Sequence, residues 1–510
     1  MKTKASIQWG ILSALIIGMT SCQKEKMISA EQPDLLTTSE IDGQLYREIE
    51  TNGIYNWSNA SDQLLWSAAM QSDSIFAIGY QPTGFTNIEE QMHLIDIQQP
   101  AWIEMQESIL DLVLTEEQKH NTEITKEDLL PFGLPQKLPT LAVYMSSFEA
   151  VKKLRNLPGV RYFEPMGYEL PPIYFPNNDR SSSGCGVSPD YDIDAADYTT
   201  IAPLAKQSWH HGPSNISGAW STSTGEGVTV AIIDTGISDD QDNLNSHFNS
   251  GFSSGRTVEQ ISTFYTGRWW WRSLDDPHDE CGHGTQMAGL ATAPRGTDGN
   301  AVGIAYNANL IGFRAVEDVF ISSSNEKNGV KDALIIAGTR TDVKVISMSL
   351  GTPFWSGTVA DGIYYADGMG KSIFSAAGTS FGWTAGYGVI FPATMDQTIA
   401  VTGVKEGETE GCGVCHDGAE VDFTMIMERL EDDDRHALTL ATYSDQPTYV
   451  GGSSCGTASV AGIAALIYAA HPGITADEVY NTLKEHASNY PVKDSEYGWG
   501  IIDANAAVND

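Results

Sequence analysis

The sequence predicts an α/β protein: a mostly parallel central sheet covered by helices on both faces, three layers in all, preceded by a smaller α+β domain. Three observations predict it. The runs at residues 228–233 (VTVAII) and 343–348 (VKVISM) are almost continuously apolar and β-branched, as strands buried on both faces are. Val330, Leu334 and Ala337 form a helical stripe just ahead of the second run, and strand-helix alternation of this kind builds a parallel sheet. The 510 residues exceed one ordinary core, so more than one folded unit is expected. Hydrophobic residues at 41% and charged residues at 19% are globular values, which argues against global disorder. The formal charge of −37 disfavours nucleic acid and anionic membrane surfaces as partners.

Residues 1–22 read as an export signal: Lys2 and Lys4, the apolar run Ile11, Leu12, Ala14, Leu15, Ile16 and Ile17, then small residues before Cys22. That run is too short to span a membrane, and no later segment reads as a transmembrane helix. Met19-Thr20-Ser21-Cys22 resembles a bacterial lipobox, which makes Cys22 the expected lipidation site. An envelope lipoprotein, or a product secreted after processing, is therefore expected. Residues 23–70 are polar and weakly patterned and read as a tether. Residues 71–170 look folded. Strands are expected at 74–79 and 140–145, then an amphipathic helix through Phe148, Val151, Leu154 and Leu157, which Pro158-Gly159 stops before 160–163 extends again. Residues 171–204 shift to Pro, Asn, Ser, Gly and Asp with no apolar period, as a linker does. Residues 205–510 hold the main domain.

Chemistry gathers at strand ends and helix starts. VTVAIIDTG, residues 228–236, places Asp234 where a buried strand breaks into a glycine turn. His283 lies in CGHGTQMAGLATA, whose glycines permit close backbone approach. Ser454 lies in GSSCGTASVAG, residues 452–462, which opens an apolar helix whose N-terminus favours negative charge beside it.

These three motifs, in the order Asp, His, Ser, resemble those of the subtilase family. The resemblance spans residues 205–510: VKVISMSLG (343–351) is similar to the substrate-binding strand, SIFSAAGTS to the oxyanion strand, and FPATMDQTIAVTGV and YGWGIIDANAAV to the following strand and the closing helix. It implies a serine endopeptidase acting on protein or peptide substrates. Ser454 is then the nucleophile, His283 its base, Asp234 the partner of His283, and an acyl-enzyme the intermediate. Residues 140–165 are similar to the closing half of a subtilisin propeptide, which implies an inhibitory 71–170 domain and self-cleavage within 171–204. Ser349, Leu350 and Gly351 match one wall of the primary specificity pocket, Ala376, Ala377 and Gly378 the other, and Ile390 its floor. The family commonly has Gly at the floor, so small aliphatic P1 residues are expected here. The oxyanion hole would use the Ser454 backbone N–H together with Thr379, which replaces the family's Asn. The nucleophile motif departs too, with Ser453, Cys455 and Ala458 for Thr, Met and Pro. A register using Ser459 instead is rejected because the family's VAG begins six residues after its serine, as Val460 follows Ser454.

No cofactor is required by this reading, although calcium is a candidate structural ion. Asp239, Asp240 and Asp242 follow the Asp234 motif, but the family's ligand position carries Asn243. Cys412-Gly-Val-Cys415-His416 fits a haem-attachment pattern, a zinc site with Cys185, or a loop disulfide. Cys281 and Cys455 flank His283 and Ser454 and are expected as free thiols. Trp269, Trp270 and Trp271 are expected over outer subsites. A non-catalytic surface binding protein of the same fold is the reading from another class.

Overall fold

A computed structural model of the protein describes residues 32–170, 184–267, 272–379, 388–407 and 410–510. Cys22 and Trp269, Trp270 and Trp271 lie outside the described residues.

The N-terminal unit runs α1 (Thr38–Asn52), α2 (Asp62–Met70), β1 (Ile75–Tyr80), the single turn α3 (Ile88–Gln91), α4 (Pro100–Glu117), β2 (Thr140–Tyr144), α5 (Phe148–Arg155) and β3 (Val160–Pro165). Its sheet is antiparallel in the order β2-β1-β3, with Ile78 opposite both Leu141 and Phe163. α5 starts where the sequence places it, capped by the Ser147 hydroxyl on the Ala150 N–H. The tether expected over residues 23–70 is a misreading from Thr38 onward. Thr37 and Glu40 cap α1 reciprocally, and Ile41, Leu45 and Ile49 of α1 join Leu64, Leu65 and Trp66 of α2 in the core beneath β1. The four-residue spacing of those apolar side chains was outweighed by the polar residues between them.

The linker expected over residues 171–204 is also shorter. From Gly184 the chain is held on the main domain, and β4 (Tyr198–Ile201) pairs with β5 (Ala205–Ser208). Buried Asp197 accepts hydrogen bonds from Arg429, Arg435 and Tyr449, partners more than two hundred residues away that a composition reading cannot find.

The main domain continues through the single turn α6 (Ile216–Ala219), β6 (Thr229–Asp234), β7 (Val258–Ser262), the ribbon β8 (Tyr265–Thr266) and β9 (Ser273–Leu274), α7 (His283–Thr292), β10 (Asn309–Arg314) and α8 (Ser324–Thr339). Then come β11 (Val343–Met348), α9 (Gly357–Gly368), β12 (Ser372–Ala376), β13 (Ile399–Lys405), β14 (Phe423–Glu428), the hairpin β15 (Ala437–Leu440) and β16 (Pro447–Val450), α10 (Gly452–Ala470), α11 (Ala476–Glu485) and α12 (Ala504–Val508). Seven strands form a sheet in the order β14-β13-β12-β11-β6-β10-β7, each pairing parallel. Val230 and Ile232 of β6 face a core with α7 and α10, while Ala231 and Ile233 face one with α8 and α9. Burial on both faces is why the strand reads as an unbroken apolar run. α10 is long and apolar enough to cross a membrane, contrary to the expectation of no later candidate, but it is a buried core helix.

The two units share packing. Phe354 and Tyr365 of the main domain sit in the core of the N-terminal unit. The Arg161 guanidinium of β3 forks onto buried Asp361 of α9, with Nη1 to Oδ1 at 3.0 Å.

Candidate active site

The carboxyl ends of β6, β11 and β12 lie side by side, the edge at which parallel sheets present functional groups. Asp234 ends β6 and is fully buried. Its Oδ1 accepts from the Thr235 N–H and lies 2.8 Å from His283 Nδ1.

His283 opens α7 because Gly282, at φ +96°, turns the chain into the helix. Gly284 admits no side chain, since a Cβ there would lie 2.3 Å from the Gly236 carbonyl oxygen. Asp279 clamps this turn, and sequence reasoning missed it. Its Oδ1 accepts the Cys281 and Gly282 N–H groups, at 3.1 and 2.6 Å, and the Thr235 hydroxyl at 2.8 Å. Its Oδ2 accepts the Thr285 N–H and hydroxyl. An acidic residue shortly before a helix start was the available signal. Burial pushes the pKa of His283 down, but the neighbouring Asp234 carboxylate, with Asp279 and Asp318, outweighs it and leaves the imidazole above its ordinary value.

Ser454 is half-buried in the first turn of α10, and its carbonyl accepts from the Ser349 hydroxyl at 3.1 Å. α7 and α10, which carry His283 and Ser454 near their N-termini, pack against each other. Ser453 stitches α10 to the end of β12. Its hydroxyl accepts the Gly378 N–H at 3.1 Å and lies 3.0 Å from Thr379 Oγ1, which accepts the Ser453 N–H at 3.1 Å. Sequence reasoning recorded Ser453 as a departure and gave it no role. Thr379 thus stands at the positive end of α10.

Ser349, Leu350 and Gly351 follow β11, and Ala376 ends β12 ahead of Ala377 and Gly378. The Ile390 N–H donates to the Ala377 carbonyl at 2.9 Å, and Ile390 Cδ1 lies 2.7 Å from where a Gly351 Cβ would be. The structure therefore brings Ile390 against Gly351 and Ala377, the residues expected to form the two walls.

Cys412 and Cys415 are disulfide-bonded, and Cys185 is bonded to Cys281. The loop-disulfide reading holds, and the thiolates that zinc or haem attachment would need are engaged. The expectation of a free Cys281 is wrong, because its partner lies 96 residues away in the segment taken for linker; Cys455 is free and buried. The Cys412–Cys415 loop backs the end of β12, where the His416 N–H donates to the Gly378 carbonyl at 2.9 Å and Thr379 bridges Cys415.

Asp239 and Asp242 do not converge on a site: Asp239 is exposed and Asp242 pairs with His247 at 2.7 Å. Both side-chain polar atoms of buried Asn243, and Oδ2 of Asp298, lack a partner among the described residues. Around Gly296, a Cβ would lie 3.4 Å from Asp298 Oδ1, 3.7 Å from Ser250 Oγ and 3.8 Å from Asn243 Oδ1. Clustered oxygens with unused lone pairs suit a hard cation.

Comparison with known proteins gives a match to the subtilase family model over residues 225–500. The chain is 27% identical over 406 residues to the halolysin-like extracellular serine protease Nep of Natrialba magadii, covering 75% of this chain and 67% of that protein. It is 30% identical over 286 residues to subtilisin DY of Bacillus licheniformis, covering 56% and 92%. A protease structure from Pseudoalteromonas arctica aligns at 25% identity and a TM-score of 0.46, covering 58% of this chain and 93% of that one.

Proposed function

The chain belongs to the subtilase family of serine proteases, and from that premise we propose that it is an exported serine endopeptidase, made as a self-cleaving precursor, with Asp234, His283 and Ser454 as its triad. The observation that carries this reading is the buried Asp234–His283 pair, 2.8 Å apart, at the sheet edge where the first turn of α10 holds Ser454. His283 takes the Ser454 proton as the hydroxyl attacks a peptide carbonyl. Asp234 fixes the tautomer and stabilises the imidazolium. The Ser454 N–H and the Thr379 hydroxyl receive the developing oxyanion, and water then releases the acyl group.

The N-terminal unit serves as inhibitor and folding partner, and its separation from the catalytic domain follows cleavage within residues 171–204. Cys22 carries the lipid that holds the precursor at the membrane. A calcium ion near Asn243 and Asp298 would brace the loop following α7. Chelation should then lower the melting temperature of the wild-type chain more than that of Asn243→Leu; equal shifts would remove the ion from this account.

The central test uses the full-length chain and a fluorophosphonate probe, with mass spectrometry of the chain ends. The wild-type chain should be labelled at Ser454 and cut within residues 171–204, whereas Ser454→Ala should be neither. Identical termini in the two proteins, or label elsewhere, would overturn the assignment.

A further inference from the structure

The catalytic histidine of the proposed triad is covered by the chain itself. Only 6% of the His283 side chain is exposed, little for a base that must meet a substrate. Gly184 lies against its outer edge: a Cβ there would stand 2.9 Å from His283 Cδ2 and 3.8 Å from Nε2, the nitrogen that must reach the nucleophile. Gly184 also has φ +85°, so the approach uses a residue without a side chain in a conformation that disfavours one.

The covering segment is anchored along its length. Cys185 is bonded to Cys281, two residues before His283. The Gly186 N–H donates to the Cys281 carbonyl at 2.8 Å, Val187 packs on Gly282, and the Thr442 hydroxyl donates to the Val187 carbonyl at 2.9 Å. Further on, the Asp190 N–H donates to the Pro447 carbonyl. Peptide-bond cleavage alone cannot free such a segment. A cut before Cys185 leaves the new amino-terminal arm bonded beside His283, and a cut after it leaves the N-terminal unit bonded there.

We propose that the Cys185–Cys281 disulfide is a redox latch that keeps residues 184–187 over His283 through and after cleavage, and that a dithiol reductant opens it to release full activity. This rests on the triad reading above. Cys185 is half-buried and Cys281 is buried, so attack falls on the Cys185 sulfur. A reductant thiolate bonds to that sulfur, the protein S–S bond breaks, and Cys281 leaves as a thiolate that takes up a proton. The second reductant thiol then displaces Cys185 from the mixed disulfide. Two electrons pass to the protein cystine, and the reductant ends as its own disulfide.

The test measures fluorophosphonate labelling and peptide hydrolysis by the full-length chain, oxidised and after dithiothreitol, beside Cys185→Ser and the double variant Cys412→Ser/Cys415→Ser. Reduction should raise the wild-type rate by at least about tenfold, the scale on which masking or misplacing a catalytic group acts. Cys185→Ser should be fast without reductant and unresponsive to it. The Cys412/Cys415 variant should still respond, which separates the two disulfides. Equal wild-type rates with Cys185–Cys281 open and closed, verified by thiol mass tagging, would overturn the latch and leave the triad standing. If no form reacts with the probe, the Ser454 reading fails and the latch fails with it.

Discussion

His283 sits between a burial that favours its neutral form and a carboxylate that favours its charged one, and the carboxylate prevails. A base must be neutral to accept a proton, so the acid limb of the kcat/KM profile should fall at a pH above the ordinary histidine value of about 6.5. Replacing Asp279 with Asn should lower that limb; a profile unchanged in position would deny the influence of the carboxylate. At the pocket floor, Ile390→Gly should shift preference from P1 Ala or Val toward P1 Phe by about 1–3 kcal/mol in relative kcat/KM, read from a peptide library. If Thr379 serves the oxyanion as proposed, Thr379→Val should cut kcat by roughly ten- to a hundredfold with KM little changed, although it also removes the acceptor of the Ser453 N–H. The placement of Asp234, His283 and Ser454 at strand ends and helix starts was legible because each lies in a motif with a local signature. Asp279 and Ser453 were not, because their work is the capture of backbone N–H groups that only the folded turn brings to them.

Among the elements, β3 and α9 meet through a buried carboxyl. Glu164 Oε1 accepts the N–H of Gly357, the first residue of α9, at 2.9 Å, and its pKa is pushed up to about 7 by burial, against the pull of Lys327 and of that N–H. In the free N-terminal unit the Glu164 carboxyl should return toward its ordinary value of 4.5. A carboxyl raised in the complex strengthens it below that lower value and loses the contribution as pH rises through about 7. Binding of the separated N-terminal unit should therefore weaken between pH 5 and pH 8, as titration calorimetry would read, and Glu164→Gln should flatten the dependence. Arg161→Met, which strands the Asp361 carboxylate in a buried place, should weaken binding by about 3–5 kcal/mol. β6 and β11 emerged at nearly their true limits because burial on both faces leaves an unbroken apolar signature. α1 did not, because one buried stripe on a largely polar helix is a weaker signal than the surrounding composition.

For the whole molecule, a seven-stranded parallel sheet needs long crossovers before its strands pair, and such non-local topologies fold slowly. The N-terminal unit is the smaller body, with three strands in its sheet, and once folded it offers α9 a template. Supplying that unit to the unfolded catalytic chain should speed recovery of native fluorescence; equal rates with and without it would contradict this. Shared packing has a further price when the units part. Phe354 stacks on Trp57 at 5.9 Å between centroids, and Tyr365 lies in the same core. Separation therefore bares two aromatic side chains of roughly 150–250 Å2 each. Such a scar is adhesive. If the units part as proposed, the remaining chain should cluster as its concentration rises, with light scattering that falls when the free N-terminal unit is returned, so that unit would also be the solubiliser of the domain it covers.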